Sequence, residues 1–309
     1  GYWWSPDERH IAFTRVDESP VAELERFEVH ADGFRVLRQR YPAAGAANAE
    51  VRLAVLALET GEIAWADLGR TDHYLARVNW FPEGDQLLVQ RQSRDQKRLD
   101  LLSFPVTGGS GRLLFSEMSD TWVELHDDLY FLPRRKELLW ASERTGHNHL
   151  YRYGYDGRLK GAITTGDWDV IGESQAPAVR GIDEKHGSVY FMATLKTPLE
   201  RQLYVASLDA GSARAPRLLT SQDGWYNVTM SQDARRYLLG YSDPMQPPQL
   251  SLHDTTGKRL AWLIENRLDD QHPYAPYRDR HVTPEFGTLP ADDGTPLYWQ
   301  LYKPAGYEP

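Results

Sequence analysis

At 309 residues, with 41% hydrophobic and 26% charged residues, the chain has the composition of a folded globular protein and the length for one or two domains. A formal net charge of −9 without any Lys/Arg run excludes broad phosphate binding, and so nucleic acid as a partner; the absence of cysteine excludes disulfides, thiolate catalysis and cysteine metal clusters. Seventeen Tyr and ten Trp favour strands over helices, and the longest apolar run, 53–58, is too short to span a bilayer.

Taken in order, the chain opens on Trp4-Ser5-Pro6-Asp7, a tight reversal that leads into a strand predicted at 11–16. Between Asp17 and Asn48 lies more sequence than one repeat absorbs. Alternation over 21–29 among charged neighbours predicts an arm of paired strands projecting from the sheet, and an exposed arm needs a partner or a lid role. The stretch 73–115 then shows the repeating unit in full, with strands predicted at 74–81, 86–91, 98–104 and 112–115. Pro82-Glu83-Gly84-Asp85 reverses the first pair, since Pro presets one turn angle and Gly takes positive φ without steric cost. Gln96-Lys97 and the glycine-rich 107–111 close the other turns. The unit is a four-stranded antiparallel meander of about 45 residues, the size of one propeller blade.

The pattern returns at Phe131-Leu132-Pro133 before 137–142, at Ile182-Asp183-Glu184 before 188–193, and at Met230-Ser231-Gln232-Asp233 before 237–241. From Pro6 to Pro82 is 76 residues, to Pro133 a further 51, and to Gln232 a further 99, the last being two repeats of roughly 50. Five blades are expected. Trp122, Trp168 and Trp225 fall near the starts of innermost strands and are expected to pack between neighbouring blades. The acidic pairs Asp127-Asp128, Asp269-Asp270 and Asp292-Asp293 read as solvated turns. His147 and His149 would share one strand face and an H-x-H pair can ligate a metal, but no third ligand stands at a suitable spacing, so neither metal nor cofactor is expected. After Leu263 the repeat stops. His272-Pro273-Tyr274-Ala275-Pro276-Tyr277 reads as a linker without regular structure, and strands at 285–289 and 297–302 around Asp292-Asp293-Gly294 read as the first hairpin of another domain.

Several stretches together carry a resemblance: Trp3-Trp4-Ser5-Pro6-Asp7, Val16-Asp17-Glu18-Ser19, Arg40-Tyr41-Pro42-Ala43-Ala44-Gly45 with Asn48, Ser142-Glu143-Arg144 before His149-Leu150-Tyr151, and Trp168-Asp169-Val170. They cover most of the chain, and it resembles the dipeptidyl peptidase IV branch of the prolyl oligopeptidase serine peptidases. The resemblance implies an all-β fold, a β-propeller of four-stranded antiparallel blades. Five of an expected eight lie in 1–271, with the arm at 17–48. A linker at 272–284 and the first strands of an α/β-hydrolase domain at 285–309 follow. It also implies removal of Xaa-Pro or Xaa-Ala dipeptides from peptides with a free amino terminus, and a homodimer of the full-length protein formed through the arm at 17–48 and the hydrolase domain.

On the same template Tyr298 is the candidate oxyanion donor; a one-residue difference in register would put Trp299 there instead. His126 and Asp127 are candidates for lining the leaving-group side of the cleft. The paired glutamates that hold the substrate amine are expected upstream of Gly1. No Gly-x-Ser-x-Gly elbow is present, since Gly108-Gly109-Ser110-Gly111-Arg112 has the wrong spacing, and no Ser/Asp/His triad can be assigned within the chain, which alone is expected to be inactive. A non-catalytic propeller scaffold for protein partners is the alternative. The compartment is left between periplasm and cytoplasm, an exported bacterial protein being slightly favoured.

Overall fold

The structure is a computed structural model that describes residues 1–69, 72–172, 176–209, 214–304 and 306–307. Its regular secondary structure is almost all strand. The chain divides into two compact units, one of Gly1–Leu125, Arg135–Leu138 and Tyr153–Leu159, the other of His126–Arg134, Leu139–Arg152 and Lys160–Pro309.

The first sheet is built from β1 (Tyr2–Trp4) and β2 (His10–Asp17). The chain then leaves it for a two-stranded ribbon of β3 (Glu23–His30) and β4 (Gly33–Arg40), and returns as β5 (Glu50–Ala57) and β6 (Ile63–Asp67). Among the described residues the ribbon strands pair with each other alone, from Glu23 opposite Arg40 to His30 opposite Gly33. The second sheet holds β7 (His73–Trp80), β8 (Gln86–Ser93) and β9 (Arg98–Pro105). Before it is completed, β10 (Gly109–Ser110) pairs parallel with β6, so the first sheet gains a fifth strand where the glycine-rich segment was expected to be only a turn. Glycine is what permits it: Gly108 has φ +75 and a Cβ there would stand 2.6 Å from the Trp65 carbonyl oxygen. The second sheet closes with β11 (Arg112–Met118), three residues longer than its predicted strand.

The third sheet is β12 (Leu129–Leu132), β13 (Glu137–Ser142), β14 (His149–Gly154) and β15 (Leu159–Ala162). The fourth is β16 (Val179–Asp183), β17 (Ser188–Ala193), β18 (Gln202–Ser207) and β19 (Arg217–Leu218). The fifth is β20 (Trp225–Met230), β21 (Arg236–Asp243), β22 (Gln246–Asp254) and β23 (Arg259–Ile264), each sheet running in chain order. A 3-10 helix (Ala275–Arg280) and the hairpin of β24 (Glu285–Pro290) and β25 (Pro296–Leu301) follow. The helix corrects the expectation of a linker without regular structure. Pro276 stands in its first turn, where a missing N–H costs nothing and the fixed φ already suits a helix.

Five antiparallel meanders of four strands, the first extended by the parallel β10, are therefore present among the described residues, the blades of a β-propeller. Their cores lie between successive sheets, because strands buried on both faces send alternate residues to two cores. β17 shows it directly: Val189, Phe191 and Ala193 join a cluster with Leu139 and Leu150 of the third sheet, while Tyr190 and Met192 join one with Tyr226, Val228 and Tyr237 of the fifth. Burying one such large side chain contributes about 1.5–3 kcal/mol.

The turns repeat as chemistry too. In Ser5-Pro6-Asp7, Ser93-Arg94-Asp95 and Ser231-Gln232-Asp233 the Ser hydroxyl donates to the Asp carboxylate at 2.6–2.7 Å and accepts a backbone N–H from five residues ahead. The next residue, Glu8, Gln96 or Ala234, takes positive φ. The expected tryptophan packing is partly buried for Trp168, which stacks on Phe191 at 6.5 Å and meets His149 edge-on. Trp122 and Trp225 are instead exposed, their indoles occupied by Glu124 and by the Arg201 guanidinium.

Candidate functional site

The residues that carried the resemblance mostly build joints. At the root of the ribbon, Asp17 accepts the Ser19 N–H at 2.9 Å, and Arg40 donates through Nη1 to the Val21 carbonyl at 2.7 Å, closing the base with the Tyr41 N–H to Ala22 oxygen bond. Beside this root is a pocket of about 640 Å³ lined by Asn48, Glu50, Arg52, Asp72 and His73 among others. Between the third and fourth sheets, Asp169 Oδ1 accepts the Asn148 N–H at 2.8 Å while Asn148 Nδ2 donates to the Val170 carbonyl at 2.7 Å.

His126 and Asp127 lie in the irregular segment ahead of β12. The His126 ring packs on the buried Trp140 at 4.4 Å, and its Nδ1 accepts the Asp128 N–H at 3.2 Å, which leaves the neutral ring's proton on Nε2. Asp127 is exposed, and its carbonyl accepts the Leu129 N–H. The residue that sequence reasoning misjudged is the next one. Asp128 is no solvated turn: it is 4% exposed, and its two oxygens accept the Ala178 and Val179 N–H groups at 2.8 and 2.9 Å. The Tyr130 hydroxyl shares its proton between Asp128 Oδ1 and the Val179 carbonyl, and burial with the adjacent Asp128 charge pushes that phenol far above its usual range. A carboxylate so placed fastens the segment bearing His126 and Asp127 to the fourth sheet. The signal available in sequence, an acid directly before the apolar Leu129–Leu132, is too common to have marked it.

Asp100 plays a similar part in the second sheet. Burial alone would raise its pKa, but hydrogen bonds from Arg91, Ser116 and Arg98, at 2.8, 2.6 and 2.7 Å, outweigh it and hold the carboxyl below its ordinary value.

Tyr298 stands opposite Thr288 in the β24–β25 hairpin, exposed, and Trp299 on the alternate face lays its indole against Gly287, where a Cβ would come within 2.3 Å of the ring. The two candidate registers thus point to opposite faces of β25. His147 and His149 do not converge. His147 Nδ1 faces Asp169 at 3.3 Å, whereas His149 is buried with Nδ1 on the Thr164 hydroxyl at 3.1 Å and Nε2 on the Gly166 carbonyl at 2.9 Å. Because a carbonyl only accepts, Nε2 carries the proton and Thr164 donates to Nδ1; both nitrogens are spent within the third sheet. The same position recurs at the head of other third strands, where Arg98 meets Ser116 and Gln202 meets Thr220.

The chain was compared with known proteins. The family profile "Dipeptidyl peptidase IV (DPP IV) N-terminal region" matches residues 1–248. A relative from Emericella nidulans, named "Probable dipeptidyl-aminopeptidase B", is 31% identical over 297 residues, covering 86% of this chain and 32% of its own length. A protein of the same name from Aspergillus terreus is 30% identical over 310 residues, covering 91% and 33%. The chain therefore spans about a third of the length of these relatives. A crystal structure from Bacteroides ovatus, of a protein named for dipeptidyl aminopeptidase IV, superposes with TM-score 0.83 at 26% identity over 100% of this chain and 45% of that one. Porphyromonas gingivalis dipeptidyl peptidase 4 shares the fold, with TM-score 0.85 at 23% identity over 99% and 42%. With the family profile extending from the first blade into β22, the chain belongs to the dipeptidyl peptidase IV N-terminal region family.

Proposed function

We propose that this chain is the propeller portion of a serine dipeptidyl peptidase that releases Xaa-Pro or Xaa-Ala dipeptides from peptide amino termini. The observation that carries the reading is the family match over residues 1–248, in a chain whose motif residues build the ribbon root and the blade joints. In this reading the propeller shapes the cavity, admits peptides with a free amino end, and holds that end while a serine supplied outside these residues attacks the second peptide bond. His126 and Asp127 line the leaving-group side. The Tyr298 hydroxyl donates to the developing oxyanion, a role that contributes about 3 kcal/mol when preorganised. The β3–β4 ribbon contributes to a homodimer.

Hydrolysis of a Gly-Pro chromogenic amide by the full-length encoded protein, beside this chain and with or without a serine-reactive fluorophosphonate, tests the reading. Cleavage by the full-length protein, blocked by the reagent and absent from the chain alone, is expected. A folded full-length protein that neither cleaves nor labels would overturn it in favour of a non-catalytic scaffold.

A further inference from the structure

After β23 the chain does not leave the fifth sheet directly. It is strapped across the turn between β21 and β22: Gln246 Nε2 donates to the Asn266 carbonyl at 3.1 Å, Asn266 Nδ2 to the Pro248 carbonyl at 2.8 Å, and Thr283 Oγ1 to Met245 Sδ at 3.1 Å. His281 completes the strap. Its Nε2 donates to the Pro244 carbonyl at 2.7 Å, and its Nδ1 takes the Tyr274 hydroxyl at 2.8 Å. Between strap and turn is a half-open pocket of about 400 Å³, within the range of small-molecule sites.

Its lining has two chemistries. Met245, Pro247, Leu268 and Tyr274 supply an apolar body, and Asp243 and Arg278 supply one charge of each sign. Neither charge is saturated. The Arg278 fork makes two bonds, to the Leu268 carbonyl at 3.4 Å and to Asp270 at 3.1 Å, and Asp270 is almost wholly in water, so that ion pair is weak and replaceable. The Asp243 carboxylate accepts the Met245 N–H at 2.7 Å and the Tyr241 hydroxyl at 2.5 Å, two of about four acceptor positions.

We propose that this cavity binds a small zwitterionic amphiphile, a free apolar dipeptide, with its carboxylate on Arg278, its ammonium on Asp243 and its side chains on the apolar wall. A ligand with only one charge would leave the opposite wall charge with no more than its present partners, the Tyr241 hydroxyl and Met245 N–H for Asp243 or the exposed Asp270 for Arg278. Bound there, the dipeptide ties the strap to the last blade. The inference rests on the lining; it meets the peptidase reading only in that such an enzyme releases molecules of this class.

The test is calorimetric titration of the full-length protein, pretreated with fluorophosphonate, using leucyl-leucine, N-acetyl-leucyl-leucine and leucyl-leucinamide. The zwitterion should bind about tenfold more tightly than either capped form. Arg278→Gln should abolish its advantage over the amide. Met245→Asp, which puts a charge on the apolar wall and gives up the Thr283 contact, should weaken the zwitterion and the acetylated form. No saturable binding, equal binding of the three probes, or a zwitterion preference that survives Arg278→Gln would overturn the proposal. Arg278 has no part in the proposed chemistry, so the amide-hydrolysis assay succeeds or fails independently of this one.

Discussion

Asp128 and His149 show how much of this chain's polar sequence is joinery. With Ala in place of Asp128, the Ala178 and Val179 N–H groups lose their acceptors in a buried site, so Asp128→Ala should cost about 3 kcal/mol in denaturant unfolding. Tyr130→Phe, which leaves those two bonds in place, should cost about 1 kcal/mol; equal losses would disprove the assignment. The buried histidines give a pH signature. Burial holds the imidazoles of His149 and His253 below the ordinary histidine value, despite favourable carbonyl partners at Gly166 and Gly257. On acidification the unfolded chain therefore takes up protons before the folded one. Their contribution is full above about pH 6.5 and declines as pH falls below it. His149→Gln should flatten part of that decline in thermal melts while keeping the bond to Thr164, because Gln202 already makes the equivalent bond to Thr220. An unchanged pH slope would remove His149 from the account.

The blade turns and the ribbon were the most legible elements, and their limits are instructive. Turn residues recur at fixed offsets because positive φ and Ser-x-Asp bonding are local requirements, so the second strands of all five blades could be read directly from the sequence. β10 and the 3-10 helix could not, since each depends on a neighbour distant in sequence or on a helix too short to leave a period. Trp122 and Trp225 misled because exposure is set by the facing sheet. Among the glycines, Gly157 has φ +81 and a Cβ there would lie 2.4 Å from the Leu114 carbonyl, while Gly146 has φ +95 and open space. Gly157→Ala should thus cost at least about 2 kcal/mol and Gly146→Ala about 1 kcal/mol, measured by urea unfolding. The ribbon behaves differently. Among the described residues β3 and β4 pair with no strand but each other, and Phe27, Val29, Phe34 and Val36 share one face, with Phe27 and Phe34 in edge contact at 5.4 Å. Phe27→Ser with Phe34→Ser should leave the melting temperature of the full-length protein almost unchanged and convert the proposed dimer to monomer in light scattering. A dimer that persists would place its interface elsewhere.

Across the whole molecule, apolar surface is concentrated outside the inter-sheet cores. In the first unit Tyr2 and Trp4 of β1 are exposed. In the second, Leu260, Leu263 and Ile264 of β23 and Phe286, Leu289, Leu297 and Leu301 of the last hairpin are exposed as well. Single exposed apolar residues are ordinary, but a run of them on one strand or hairpin is an interaction surface. β23 adds a second reason: among the described residues it pairs with β22 alone and stands at the edge of its sheet, beside those side chains. The net charge of −9 opposes association at long range and is screened within about 10 Å at ordinary salt, whereas apolar contact is not. The 309-residue chain should therefore self-associate reversibly, more strongly as salt rises, and Leu263→Glu with Leu289→Glu should suppress it. Sedimentation velocity over about a hundredfold range of concentration decides the matter: a monodisperse monomer throughout would mean that these surfaces are too dispersed to act as one patch.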